Sequence, residues 1–360
     1  APYIVFVESD DYIEPDMVET LYRNVMDSGA DIVKGGFNTF IGDQDDRFFF
    51  PKTPVERFYD FNRIVTPIEE QSAFRWTMYE WMGIYKKSFL EEQQICHNET
   101  KGAAFQDIGF WFLGFAHARK VMIIPKALYH YRCDNPSASV KNPQKVFCTN
   151  NEYEYIRAKL SEELWLRLAG TYYSEWFHSN MEAYGHLAED LRPMLSSKMH
   201  EILKEAHKEK QLDRDAFRYW ERDLMRLLLS SSAGFDEDRR ARVQQIHANH
   251  KKMICECKNA GKIVVCCAGS HGANIQYLLK SAGIEITAYA DNDEGRWGDR
   301  MNGVPIMSPD DAARAYSDAL FLIANRDHGE EIRNELLCRT GLRSEQIRVC
   351  EVDRLPEAYI

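Results

Sequence analysis

The chain has 360 residues, a hydrophobic fraction of 44% and a formal net charge of -11. That length allows two or three packed domains, and the acidic balance argues against a nucleic-acid backbone as the main partner. No stretch has the apolar length needed to span a bilayer. Nine cysteines, among them Cys255-x-Cys257 and the adjacent Cys266 and Cys267, form neither a disulfide framework nor paired zinc spacing, so a reducing cytoplasm is the expected compartment.

The first stretch, Tyr3 to Tyr12, runs through five apolar residues into Glu8, Asp10 and Asp11. An apolar run without alternation fits a strand covered on both faces, as in a parallel sheet flanked by helices. Glu8 and Asp10, two residues apart, point the same way if the strand continues. Two such carboxylates suit Mg2+ or Mn2+, bound through oxygen beside a phosphate-bearing ligand. On spacing alone a polar turn ahead of a helix fits equally well. Pro15 suits a first helical position, and Ser28-Gly29 suits the stop.

A second strand is expected over Ala30 to Phe37, where Gly35 and Gly36 allow close approach of another backbone. Residues Gly42 to Pro67 read as a long loop or insertion. Trp76 to Leu90 reads as a short aromatic strand followed by a helix. Trp81 there suits a core or wall position, and its indole also suits the face of a sugar. Gln106-Asp107 then stands among aromatics where a helix begins, a place that an Asp commonly fills as a cap. Lys120 to Pro125 is a strand, followed by Tyr129-His-Tyr-Arg132 and Asn135-Pro-Ser137-Ala-Ser139. Arg132 fits either a forked phosphate contact or a structural ion pair, and His130 suits packing between its tyrosines.

From about Lys145 to Lys258 charge alternates with apolar positions at helical spacing, which suggests a helical domain or linker and a surface for a homo-oligomer. The last hundred residues form a separate α/β unit. Gly261 to Cys267 is a strand, Ala268 to Gly272 a tight turn, Asn274 to Ala282 a helix, and Ile284 to Ala290 a second strand ending at Asp291. This is the layout of a dinucleotide-binding βαβ unit, with Gly269 and Gly272 in the turn and Cys267 where a first glycine would stand. Asp291 fits a ribose contact or a turn.

Residues 1–145 resemble family 2 glycosyltransferases with the GT-A fold. The resemblance rests on the apolar run before Glu8-Ser-Asp10 and Asp11-Tyr12, on Trp81 with Tyr85, Lys86, Phe89 and Leu90, on Gln106-Asp107, and on the Tyr-x-Tyr-Arg segment ending at Arg132. Glu8 and Gln106 depart from the family's usual Asp and Glu. The resemblance implies Asp10, with Glu8, as metal ligand and Asp107 as the base. It implies Glu8, Asp11, Trp81, Gln106, Arg132, Ser137 and Ser139 as substrate-binding residues. The expected fold is therefore α/β, with a partial GT-A-type sheet over 1–145, a helical middle over 146–258 and a small Rossmann-like parallel sheet over 259–360.

The implied activity is inverting transfer from a nucleotide-diphosphate sugar, a UDP-sugar first among them, to a saccharide or polyol-phosphate hydroxyl. Cell-surface polysaccharide or teichoic-acid synthesis, at the inner face of the membrane, is the implied setting. The family's nucleotide-binding half would precede Ala1, so the chain reads as a fragment, inactive or nearly so by itself. The alternative is a non-catalytic binding or assembly module whose carboxyl-terminal unit, similar to Rossmann-like appendages of such enzymes, binds a nucleotide or a partner.

Overall fold

The computed structural model describes residues 1–44, 46–51, 61–76, 78–100, 105–135, 146–325 and 328–350. They form two compact units. The first holds Ala1–Phe37, 61–131 and 135–239; the second holds 38–51, Arg132–Asp134 and 240–350.

The chain opens with strands β1 (Tyr3–Val5) and β2 (Tyr12–Ile13), helix α1 (Met17–Ser28) and the long strand β3 (Ile32–Ile41). β4 (Phe48–Pro51), β5 (Ile64–Val65), β6 (Gly83–Lys86), the short helix α2 (Lys87–Glu92), helix α3 (Gln106–His117) and strand β7 (Val121–Arg132) follow. The sheet order is β1-β6-β3-β7-β2, with β4 on β3 and β5 on β7. α1 starts at Met17, two residues beyond Pro15, and buries Met17, Leu21 and Val25 on one stripe. Gly35 and Gly36 do allow close approach. A Cβ at either would lie 3.3 Å from the Lys126 carbonyl of β7.

Two expectations change here. β1 is covered on both faces, with Ile4 packed on one hydrophobic cluster and Tyr3 and Val5 on another. It pairs antiparallel with β6 instead of lying in a parallel sheet, and it ends at Val5, so Glu8 and Asp10 stand on a turn. The stretch from Gly42 to Pro67, expected as loop, contains β4 and β5. Phe48 and Phe50 are buried on alternate positions of β4, a period that a half-covered strand satisfies.

Helices α4 (Cys148–Lys159), α5 (Glu162–His186), α6 (Arg192–Lys208), α7 (Arg222–Ser230) and α8 (Ser232–Lys258) make up the middle of the chain. Within the first unit α4 and α5 share a core with α3: the Phe112 ring meets Tyr153 and Tyr172 edge-on. Tyr153, Tyr172, Trp176 and Phe177 are all buried in that core.

The second unit carries β8 (Ile263–Cys266), α9 (Ser270–Ser281), β9 (Ala288–Ala290), β10 (Arg300–Met301), β11 (Val304–Met307), α10 (Pro309–Ala315), β12 (Leu320–Ile323), α11 (Gly329–Thr340) and β13 (Ile347–Val349). Their order is β10-β11-β9-β8-β12-β13. All pairs are parallel except the β10-β11 hairpin. β9 is shorter than the strand expected from Ile284, because ladder pairing with β8 begins only at Ala288.

Candidate functional site

The acidic turn after β1 is held by β7. Tyr129, fully buried on β7, accepts the Glu8 N–H at 3.0 Å and donates its own hydroxyl proton to Asp11 Oδ2 at 2.8 Å. Asp10 Oδ2 accepts from Asn135 Nδ2 at 2.6 Å. Desolvation, with the charges of Glu80 and Asp10, raises the Glu8 carboxyl above its ordinary value. Crowded oxygen donors of one sign suit a hard divalent cation that takes its remaining ligands from water or phosphate. Among the described residues no group of three or more His, Cys, Asp and Glu is arranged to hold a metal ion by itself.

Asp107 lies in the first turn of α3, entered through Phe105 at φ 62°. It keeps partial exposure while its surroundings desolvate it. That desolvation, reinforced by the charges of Glu80 and Glu8 and opposed by the Ile108 N–H and Lys34, pushes the carboxyl up to about 7. A carboxyl at that value changes protonation near neutral pH, which is what a general base requires.

Glu8 and Asp10 thus belong to one electrostatic cluster with Asp107, distant from them in sequence, and four further members of it, Lys34, Glu80, His97 and Glu152, were not anticipated. Lys34 of β3 is fully buried; its Nζ donates to the Tyr79 carbonyl at 3.1 Å, and burial lowers the amine to about 7. Glu80, on the 3-10 turn Glu80–Met82, is 8% exposed. Its Oε2 lies 2.5 Å from His97 Nε2, and that bond raises the imidazole's value. Nearby Glu152 of α4 is buried and binds Asn98 Nδ2 through Oε1 at 3.0 Å. Its Oε2 has no hydrogen-bond partner among the described residues, and burial pushes the carboxyl up to about 7. Charged residues inside apolar or aromatic runs, Lys34 between Val33 and Gly35 and Glu80 between Tyr79 and Trp81, were the available signals.

The other expected residues have different surroundings. Gln106 Nε2 donates to the Asn98 carbonyl at 2.5 Å and to Thr100 at 3.1 Å, so it braces the segment leading to α3. Trp81 is 4% exposed and stacks with Tyr129 at 4.2 Å and Tyr79 at 4.8 Å, the arrangement of a wall or core ring. Arg132, in the second unit, donates from Nε to Asp134 at 2.7 Å and from its NH2 group to Asp43 at 2.9 Å, an ion-pair geometry. Ser137 and Ser139 lie outside the described residues.

In the second unit Cys267 takes the left-handed conformation, φ 76°, that favours glycine. A Cβ on Gly272 would stand 2.1 Å from the Cys267 carbonyl, so only glycine lets α9 begin against the turn. Gly269 caps the same helix. Asp291 accepts the Ala268 N–H at 2.6 Å and the Asp293 N–H at 2.9 Å, which makes it a brace of the turn. A cleft of about 240 Å³ opens at the carboxyl ends of β8, β9 and β12, lined by Cys267, Asn292, Asn325, Leu336 and Thr340 among others.

Residues 259–347 match the family described as C2185-like, N-terminal. The chain is also similar to proteins named as glycosyltransferases. The glycosyltransferase GlyA of Streptococcus pneumoniae serotype 4 is 29% identical over 143 residues, 38% of this chain and 20% of GlyA. The uncharacterized glycosyltransferase EpsJ of Bacillus subtilis is 27% identical over 167 residues, 44% of this chain and 45% of EpsJ. The chain therefore spans less than half the length of either relative. Among solved structures, S. aureus TarS 1-349 in complex with UDP-GlcNAc is similar at a TM-score of 0.47 and 13% identity, over 68% of each chain. Among the described residues no helix is long and apolar enough to cross a membrane.

Proposed function

We propose that this chain is part of an inverting glycosyltransferase that moves a sugar from a nucleotide diphosphate, a UDP-sugar in the first instance, to a hydroxyl of a saccharide or polyol phosphate. The observation that carries the reading is Asp107: a partly exposed carboxyl at a helix start, held at about 7 beside a turn of further carboxylates.

Asp107 takes the proton from the acceptor hydroxyl as its oxygen attacks the anomeric carbon from the side opposite the diphosphate. The C–O bond to the diphosphate breaks in the same displacement, so the configuration inverts and no covalent intermediate forms on the chain. Asp10, with Glu8, would hold a divalent cation, which when bound supplies positive charge to the departing diphosphate. Tyr129 fixes that acidic turn through its two hydrogen bonds. Lys34 offsets part of the negative charge that Asp107 faces.

Glycosyltransferase names among the relatives support the class, and cell-surface polysaccharide or teichoic-acid synthesis is the setting we propose. The test is release of nucleoside diphosphate by the full-length protein, measured over a panel of sugar nucleotides and acceptors with and without Mn2+ or Mg2+. Acceptor-dependent release supports the reading. No release with any pair overturns it.

A second reading rests on the cleft in the second unit. It makes that unit a binding module for a nucleotide or other small metabolite. Calorimetry with NAD, NADP and sugar nucleotides checks it, and an absence of both heat and thermal shift removes it.

A further inference from the structure

The base proposed for the reaction does not stand alone. Glu80 is buried a short distance from it, and burying a carboxylate is costly unless the charge is matched and used. His97 matches it, with Nε2 2.5 Å from Glu80 Oε2. The ring contacts of His97 lead towards Asp107.

The His97 ring stacks on Phe110, with centroids 4.8 Å apart and planes 12° from parallel. Phe110 lies three residues after Asp107 in α3, so the two share a helix face one turn apart. Phe6 packs edge-on against both rings, at 5.6 Å to His97 and 5.3 Å to Phe110, and it precedes Glu8 by two residues. On the other side the Glu80 carbonyl accepts the Tyr85 hydroxyl at 2.9 Å, which ties its turn to β6. Three segments therefore meet at one ion pair: the end of β1, the turn before β6 and the first turn of α3.

We propose that Glu80 and His97 are a positioning pair for Asp107, fixing the first turn of α3 and setting the charge that the Asp107 carboxyl faces. The proposal deepens the transferase reading and rests on it for its catalytic meaning. The ionisable groups facing Asp107 are Glu8 from the segment after β1, Lys34 from β3, Glu80 from the turn before β6 and Tyr85 from β6, with His97 from the segment before α3. An apolar pair of the same size would hold the segments together. It would leave no charge beside the carboxyl.

The two partners carry opposite signs, so their removal moves Asp107 in opposite directions. The experiment follows the Asp107 carboxyl by carbon-13 NMR through a pH titration of the whole chain, with Asp107→Asn identifying the signal. Wild type, Glu80→Gln and His97→Gln are compared. Glu80→Gln should lower the midpoint by about one pH unit and His97→Gln should raise it by a similar amount.

In the full-length protein the acidic limb of the kcat profile should move in the same two directions, with donor KM changed less than about twofold. Unmoved midpoints in folded variants would overturn the proposal. If Glu80→Gln does not fold, the upward shift in His97→Gln decides. Should no transfer be seen with wild type, the transferase reading fails, while the NMR midpoints still decide whether the pair sets the charge at Asp107.

Discussion

Tyr129 donates its hydroxyl proton to Asp11 Oδ2 at 2.8 Å, joining the middle of the chain's β7 to an acidic turn 118 residues earlier. The same oxygen accepts the Glu8 N–H. Tyr129→Phe leaves the ring stacked on Trp81 and removes both bonds. It should lower stability by roughly 1 to 3 kcal/mol, the usual net value of two lost hydrogen bonds. Hydrogen exchange at the Glu8 amide should rise more than at the β7 amides, and denaturant unfolding with exchange checks both.

Stability should fall between pH 4.5 and 7. The Glu152 carboxyl stands at about 7 in the folded chain against an ordinary 4.5. In that window the folded chain keeps a proton that the unfolded chain has lost, so raising the pH favours unfolding. Asp107, also at about 7, acts in the same direction. Lys34, lowered to about 7, acts above that window and oppositely, because the unfolded chain holds the extra proton up to about 10.5. Glu152→Gln should therefore recover roughly 2 kcal/mol at pH 7.5 relative to pH 5. Urea midpoints at the two pH values measure it.

Much of this architecture was legible locally. The α1 stripe follows from a period of 3.6, and the βαβ layout of the second unit from apolar runs on either side of a glycine turn, both of which sequence displays directly. Asp10 and Asp107 were visible because each stands in a compact motif. The partners Glu80, His97, Lys34 and Glu152 were not, because only the folded sheet and the α3-α4 packing bring them near Asp107. The antiparallel pairing of β1 was hidden for a related reason. A short run covered on both faces reads alike in either direction, and only its register with β6 distinguishes them.

The turn of the second unit makes a sharper demand than its sequence pattern suggests. Gly272→Ala places a methyl group against the Cys267 carbonyl, a backbone atom with little freedom to move. The substitution should destabilise the protein by about 1 to 3 kcal/mol, as overpacking does. Calorimetric unfolding of wild type and variant reads the difference. Gly269→Ala, with nothing within 4 Å of the added carbon, serves as the comparison and should change stability far less.

The most direct measurement is the rate of acceptor-dependent nucleoside diphosphate release by full-length protein carrying Asp107→Asn, at saturating donor. The amide keeps the size of the side chain and removes its ability to take a proton. A base at this position requires kcat to fall by about 100-fold or more, with the donor KM within about twofold of wild type. Transfer at the wild-type rate by the folded Asp107→Asn protein would contradict it, and the cluster of Glu8, Glu80 and Lys34 around Asp107 would then be structural.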